Sequence, residues 1–170
     1  RPRLVEGASM RLVLNDQILD YGQPLATQVI YKGTSVVPSE MASLFSAEVP
    51  DQVFKLVRLR RIKSDPVLLE TAYILTSFCP GLALDDLKSQ SLFDLIEKRY
   101  HLRIDRVACS FDVTALGERE AGLLQVTTGK TAVLFDQILY LHEEQVLGFI
   151  RSLCPSGKHR ITFQWMRQGN

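Results

Sequence analysis

The chain has 170 residues, of which 46% are hydrophobic and 23% are charged. This length and composition are typical of one globular domain with a single core that needs no metal or disulfide to fold. The formal net charge is only +1, which disfavours a domain that binds nucleic acid by itself, because such domains carry a basic excess on one face.

The N-terminal part of the chain is interpreted as a linker followed by the start of the domain. Residues 1–20 mix charged and scattered apolar residues, and they predict one short amphipathic helix that ends at Gly22. We expect residues 21–168 to form the folded domain. Its first elements are a strand over residues 26–32 and a short helix opened by Pro38, whose missing N–H costs nothing in a first helical turn.

The clearest pattern in the chain is that of a β-hairpin. Residues 52–62 and 66–75 are rich in β-branched and other apolar residues, and three polar residues between them suit a turn. If that turn centres on Ser64, then Arg58 of the first strand lies opposite Glu70 of the second.

The second half of the chain alternates helices and strands. Ser91 precedes apolar residues at helical spacing, so we expect it to cap a helix that runs to about Tyr100. Further elements are a helix over residues 118–124 and strands over residues 103–115, 131–141, 146–153 and 160–167. The order β-α-β-β-α-β-α-β-β-β, with tight turns between neighbouring strands, predicts an antiparallel sheet with helices packed on one side, an α+β fold.

The cysteines and the simple motifs indicate no metal or cofactor. Cys79, Cys109 and Cys154 are widely spaced, and no C-x-x-C pair or Cys/His cluster suggests zinc. Such thiols are typical of the reducing cytoplasm.

No nucleotide-binding glycine loop is present. No apolar run approaches the roughly 18 residues of a membrane-spanning helix, so we expect no membrane partner.

Two arginines on the first hairpin strand are the main candidates for binding. Arg58 and Arg60 are two residues apart, so their side chains point to the same, mostly apolar face. Unpaired buried charge is costly, and the guanidinium fork suits phosphate or carboxylate. Two interpretations stay open: a cross-strand Arg58–Glu70 salt bridge with Arg60 solvated, or an anion-binding pair in which Glu70 orients one arginine or contacts a ligand hydroxyl.

Ser91 also allows two interpretations, and both can hold. It is a typical helix N-cap, and the N–H groups and positive dipole end of a helix attract anions. Arg58, Arg60 and the amides near Ser91 would together form one site of the size of a phosphate or carboxylate. No histidine lies at the spacing of a catalytic triad, and a catalytic carboxylate pair has no specific support.

Several motifs follow one another in a distinctive order. They are the R-x-R strand with Glu70 twelve residues after Arg58, then Pro80-Gly81-Leu82, Ser91-Leu92-Phe93-Asp94-Leu95-Ile96-Glu97 and Tyr100-His101-Leu102-Arg103-Ile104. Their order and spacing resemble the UTRA domain, the effector-binding domain of GntR-type bacterial transcription regulators, in particular of the HutC-like branch. The likeness covers roughly residues 22–165.

The resemblance implies a chorismate-lyase-like fold with an effector pocket, a homodimer, and a winged helix-turn-helix domain N-terminal to Arg1. It implies that Arg58, Arg60 and Ser91 hold the anionic group of the effector. Glu70 would contact the polar remainder, and Phe93 is the aromatic residue of the motif that follows Ser91. DNA would be contacted only through the N-terminal domain.

The chain also departs from the family pattern. Phosphosugar sensors of the family carry a Glu and a Tyr in the penultimate strand region, where the nearest positions here are Gly148 and Cys154, and Phe93 lacks the hydroxyl of a tyrosine. An organic acid, an amino-acid derivative, a fatty acyl compound or a phosphonate therefore fits as well as a phosphosugar.

The function expected from this resemblance is non-enzymatic control of transcription in the cytoplasm by a small anionic effector. Two alternatives stay open. One is a chorismate lyase-like enzyme that uses the same arginines to bind a small dicarboxylate. The other is a dimerisation module with an empty pocket.

Overall fold

The computed structural model describes residues 25–44 and 52–158. Within these ranges six strands form one antiparallel sheet in the order β1-β2-β3-β6-β5-β4. They are β1 (Leu25–Ser35), β2 (Val53–Ile62), β3 (Asp65–Ile74), β4 (Arg106–Ala115), β5 (Thr131–Tyr140) and β6 (Val146–Pro155). The predicted α+β class is confirmed. The helix predicted before Gly22 and the strand predicted over residues 160–167 lie outside the described residues.

Short helices connect the strands. They are α1 (Ser39–Ala42), α2 (Leu92–Asp94), which continues as a π-helical turn (Leu95–Arg99), and α3 (Glu118–Leu124), together with 3₁₀ turns at Leu82–Leu84 and His142–Glu144. None of the helices in the described ranges is long and apolar enough to cross a membrane.

The predicted hairpin is confirmed, including its register. The β2–β3 pairing places Arg58 opposite Glu70 and Leu59 opposite Leu69. The register shifts between Arg60 and Arg61, because β3 carries one extra residue, Val67, at a bulge near the turn.

Helices cover both faces of the sheet, so the prediction that they pack on one side is wrong. The front face, defined here as the one that carries Leu56 and Arg58, packs against Leu92 of α2 and its neighbours. The back face, which carries Leu59, packs against Leu124 of α3. The physical reason is visible in β2 and β3, whose burial is nearly continuous rather than alternating, as expected of strands enclosed on both sides.

Candidate functional site

Arg58 forms a closed, buried ion pair with Glu70. Its Nε donates to Glu70 Oε1 at 2.8 Å, and its Nη2 contacts the same oxygen. The exposed fractions of the two residues are 2% and 4%. Because the pair faces each other across β2 and β3, the register itself supplies the partner that a buried guanidinium requires.

Arg58 also ties the sheet to the loop that leads into α2. Its Nη1 donates to the carbonyl oxygen of Leu87 at 3.4 Å. This loop covers the front face, with Leu87 itself only 2% exposed. The buried ion pair therefore anchors the chain segment that ends at Ser91.

Arg60 lies next to a cavity rather than in bulk solvent. It is 5% exposed and sits on β2 between Thr27 of β1 and Leu68 of β3. Its side chain shares the front face with Arg58 and lines a cavity of about 630 Å³, within the usual range for small-molecule sites. The interpretation in which Arg60 is simply solvated is therefore not supported by its position.

The cavity wall is polar and predominantly basic. Among the residues that the structure describes, one carboxylate, that of Asp94, and four cationic side chains line it, namely Arg60, Lys88, Lys98 and Arg99. Hydroxyl and amide groups fill much of the remaining wall, and they belong to Thr27, Ser89, Gln90 and Ser91. A lining of this kind favours a hydrophilic ligand with negative charge.

Backbone turns hold the serine-rich side of this cavity in place. Asp86 Oδ1 accepts the backbone N–H groups of Lys88 and Ser89 at 3.2 and 3.1 Å. The hydrogen bond from the Ser89 backbone is the main reason why the pKa of Asp86 is lowered. Ser91 then caps the helix as predicted, since its Oγ accepts the N–H of Asp94 at 3.3 Å.

The far wall of the cavity is the π-helical turn after α2. The N–H of Tyr100 donates to the carbonyl of Leu95 at 3.2 Å, which widens this turn by one residue relative to an α-helix. Lys98 pairs with Asp94 at 2.9 Å, and Arg99 pairs with the buried carboxylate of Asp85.

The buried carboxylate of Asp85 anchors the end of this turn. It accepts the hydroxyl of Tyr100 at 2.8 Å in addition to its contact with Arg99. Burial raises the pKa of Tyr100, against the opposing effect of the nearby Arg99 charge. The phenol therefore stays protonated and donates a hydrogen bond to the Asp85 carboxylate, which also contacts Arg99 at the cavity wall.

The structure thus brings together two of the five predicted site residues. Arg60 and Ser91 line the same cavity. Arg58 and Glu70 lie behind its wall and are bonded to each other. Phe93 is half-buried and packs against the front-face core instead of lining this cavity.

Sequence reasoning missed several residues that line the cavity. Thr27 reaches it because β1 pairs with β2 and places Thr27 opposite Arg60, a register that no local pattern encodes. Lys98 and Arg99 reach it from the last turn of the helix that Ser91 starts. They follow Asp94 and Leu95 by four residues, and residues at this spacing lie on the same side of a helix. This spacing could have identified them from the sequence.

The thiols show no sign of nucleophilic activation. Burial raises the pKa of Cys79, Cys109 and Cys154 to about 11. A thiol in such surroundings keeps its proton near neutral pH, whereas nucleophilic cysteines have a lowered pKa. In the part of the chain that the structure describes, no group of three or more His, Cys, Asp or Glu residues is arranged to hold a metal ion.

Comparison with known protein families gives one match that spans most of the chain. Residues 20–160 match the family model described as the UTRA domain.

Solved structures with the same fold are also found. The ligand-binding domain of a GntR-family transcriptional regulator from Bordetella bronchiseptica superposes with a TM-score of 0.72 at 17% identity, over 89% of this chain and 92% of that one. The effector domain of PhnF from Mycobacterium smegmatis gives 0.72 at 20% identity, over 81% and 85%. The C-terminal domain of the histidine utilization repressor from Pseudomonas syringae gives 0.74 at 16% identity, over 84% and 99%. At these identities the likeness shows a shared fold.

Proposed function

The chain belongs to the UTRA domain family, and from this premise we propose that it is the effector-binding domain of a GntR-type transcription regulator of the HutC-like branch. In this proposal residues 21–168 form the sensing domain, and residues 1–20 link it to a winged helix-turn-helix domain that contacts DNA. The whole protein works as a homodimer in the cytoplasm and catalyses no reaction.

The observation that carries the proposal is the basic cavity on the front face. Arg60 is nearly buried and lines it together with the helix-capping Ser91. Buried arginine at a polar cavity favours a bound anion, because the guanidinium fork can donate two parallel hydrogen bonds to phosphate or carboxylate. We assign Arg60, Ser91 and Thr27 to direct contact with the effector.

Arg58, Glu70 and Phe93 support the site from behind in this proposal. The Arg58–Glu70 pair holds the Leu87 carbonyl, and through it the segment before Ser91. Phe93 anchors the helix in the core. These residues would set the position of the groups that bind the effector.

The described part of the lining narrows the class of effector. Among the described residues, four cations and one carboxylate line the cavity, together with hydroxyl and amide groups but no aromatic ring. We therefore favour a hydrophilic anion, such as a phosphorylated sugar, a di- or tricarboxylic acid or an acidic amino-acid derivative. A fatty acyl compound suits this lining poorly.

Regulation follows from a difference in affinity between two states of the protein. An effector that binds one arrangement of the dimer more tightly shifts the population toward it, and that shift changes the spacing of the DNA-binding domains.

A thermal-shift screen of phosphorylated sugars, organic acids and amino acids tests the proposal. At a hundred times its dissociation constant, an effector stabilises the chain by about 2.7 kcal/mol. For a domain of this size that corresponds to a rise in Tm of about 5–10 °C.

Two variants then assign the binding to the cavity. Arg60→Gln should weaken binding of the best ligand about 10- to 100-fold, because it removes charge-assisted hydrogen bonds. Arg61→Gln is the matched control, since Arg61 contacts Gln28 and the Ser64 carbonyl instead. Equal loss in both variants would argue against a specific role for Arg60, and no shift with any anion would favour the dimerisation module. Turnover of a dicarboxylate would favour the enzyme.

A further inference from the structure

A second concave surface lies on the back face of the sheet, on the opposite side from the basic cavity. Here β2, β3 and β6 align two rows of side chains across the strands, followed by a row of three leucines. The rows are Lys55, Tyr73 and Phe149, then Val57, Thr71 and Arg151, and the leucine row is Leu59, Leu69 and Leu153. Helix α3 has only seven residues and packs on the leucine row, so the other two rows form the floor of an open groove of about 210 Å³.

Part of the groove floor is apolar, and its rims are charged. Val57 and Leu69 are each 5% exposed and Phe149 is 7% exposed. On one rim, Glu40 of α1 accepts a hydrogen bond from Arg151 at 2.8 Å, which fixes the position of α1. On the other rim, α3 contributes both Arg119 and Glu120 to the lining.

Lys55 is the unusual group in this groove. It is half-buried, and its Nζ lies 5.9 Å from the ring centre of Tyr31 and 5.5 Å from that of Tyr73. Among the described residues, no carboxylate forms an ion pair with it. Arg151, by contrast, is held by Asp136 at 2.8 and 2.9 Å as well as by Glu40.

A half-buried ammonium that is held over two aromatic rings gains from a nearby anion, because rings compensate its charge only weakly. The apolar floor beside it loses water when an apolar group covers it. Both features can be satisfied by one molecule that carries a negative charge at one end and a compact apolar body at the other.

We propose that the groove between α1 and α3 is a second binding site, for a small carboxylate with a compact apolar body. The carboxylate contacts Lys55, with Arg119 at the opposite rim, and the body rests on Val57, Leu69 and Leu123. A volume of about 210 Å³ holds roughly seven water-sized groups, which suits an aromatic or branched-chain acid. The proposal does not rest on the function of the front cavity.

The experiment titrates the 170-residue chain with benzoate and follows the methyl signals of valine and leucine by NMR. We expect shifts of Val57, Leu69 and Leu123, and much weaker binding of benzamide, which has the same shape without the charge. Lys55→Gln should weaken benzoate binding about tenfold, by loss of a partly exposed charge-assisted contact. Lys32→Gln, an exposed lysine on β1, is the matched control and should bind as the parent chain does.

A second variant keeps the test decisive. Leu123→Trp fills the groove from α3 and should abolish benzoate binding while the Tm stays close to that of the parent chain. Equal affinity for benzoate and benzamide, or unchanged binding in Lys55→Gln, would overturn the proposal. Shifts confined to the surroundings of Arg60 would also overturn it and would assign benzoate to the front cavity. Titration of phosphate into the Lys55→Gln variant measures binding at the front cavity separately from binding at this groove.

Discussion

Replacing Glu70 by leucine separates a structural role of the Arg58–Glu70 pair from a role in binding. The change leaves the Arg58 guanidinium, of which only 2% is exposed, with the Leu87 carbonyl as its remaining partner among the contacts described above. A buried charge without its counterion is strongly unfavourable. We therefore expect a large loss of stability and only an indirect loss of effector affinity.

The expected size of the effect follows from the burial of both groups. Breaking a buried ion pair by removing one partner costs about 3–5 kcal/mol. For a domain of this size each kcal/mol lowers the Tm by about 2–4 °C, so Glu70→Leu should lower it by about 6–20 °C. The double variant Arg58→Met with Glu70→Leu removes both charges and should recover most of this loss, because apolar residues of similar volume often replace a buried pair without cost.

Urea unfolding followed by circular dichroism measures these free energies, with Glu97→Gln as an exposed control that should change stability by less than about 0.5 kcal/mol. The reasoning would be refuted if Glu70→Leu cost less than about 1 kcal/mol and abolished effector binding. That result would make Glu70 a ligand contact rather than the partner of Arg58.

Three further predictions test other parts of the structure. Ser91→Ala removes the cap that accepts the Asp94 N–H and should cost about 1 kcal/mol in urea unfolding, together with weaker effector binding. Gly148→Ala should destabilise the fold by about 1–3 kcal/mol in the same assay, because the added Cβ would clash with the Tyr73 carbonyl oxygen. Burial raises the pKa of Cys79 and Cys154 to about 11, so alkylation by iodoacetamide, read by mass spectrometry, should be slow at pH 8 in the folded chain and fast in urea. The unfolded thiols ionise near pH 9, whereas the raised pKa keeps the folded thiols protonated up to about pH 11. The stability that these two thiols contribute is therefore intact below pH 9 and declines between pH 9 and pH 11.

Local sequence patterns predicted those helices, caps and turns whose formation depends on residues close together in the sequence. The hairpin register that pairs Arg58 with Glu70 follows from the position of the turn, and the cap at Ser91 follows from the helical spacing after it. Helix α3, Glu118–Leu124, was predicted with its observed bounds.

Features that depend on contacts distant in sequence were not predictable in this way. The sequence does not reveal that the carbonyl of Leu87, 29 residues away, accepts a hydrogen bond from Arg58. From the sequence, Arg58 and Arg60 therefore looked equally available to a ligand. The pairing of β1 with β2 decides that Thr27 joins Arg60. The π-helical turn at Leu95–Arg99 sets where Lys98 and Arg99 point, and it depends on Asp85 and Tyr100, which anchor its end.

The central claim is that a small anion binds in the front cavity against Arg60 and Ser91. A crystal structure of the chain with the strongest ligand of the thermal-shift screen tests it most directly. We predict a phosphate or carboxylate group within hydrogen-bond distance of the Arg60 guanidinium and beside Ser91, with the Arg58–Glu70 pair still closed behind it. A ligand seated elsewhere, with that cavity holding only solvent, would contradict the account.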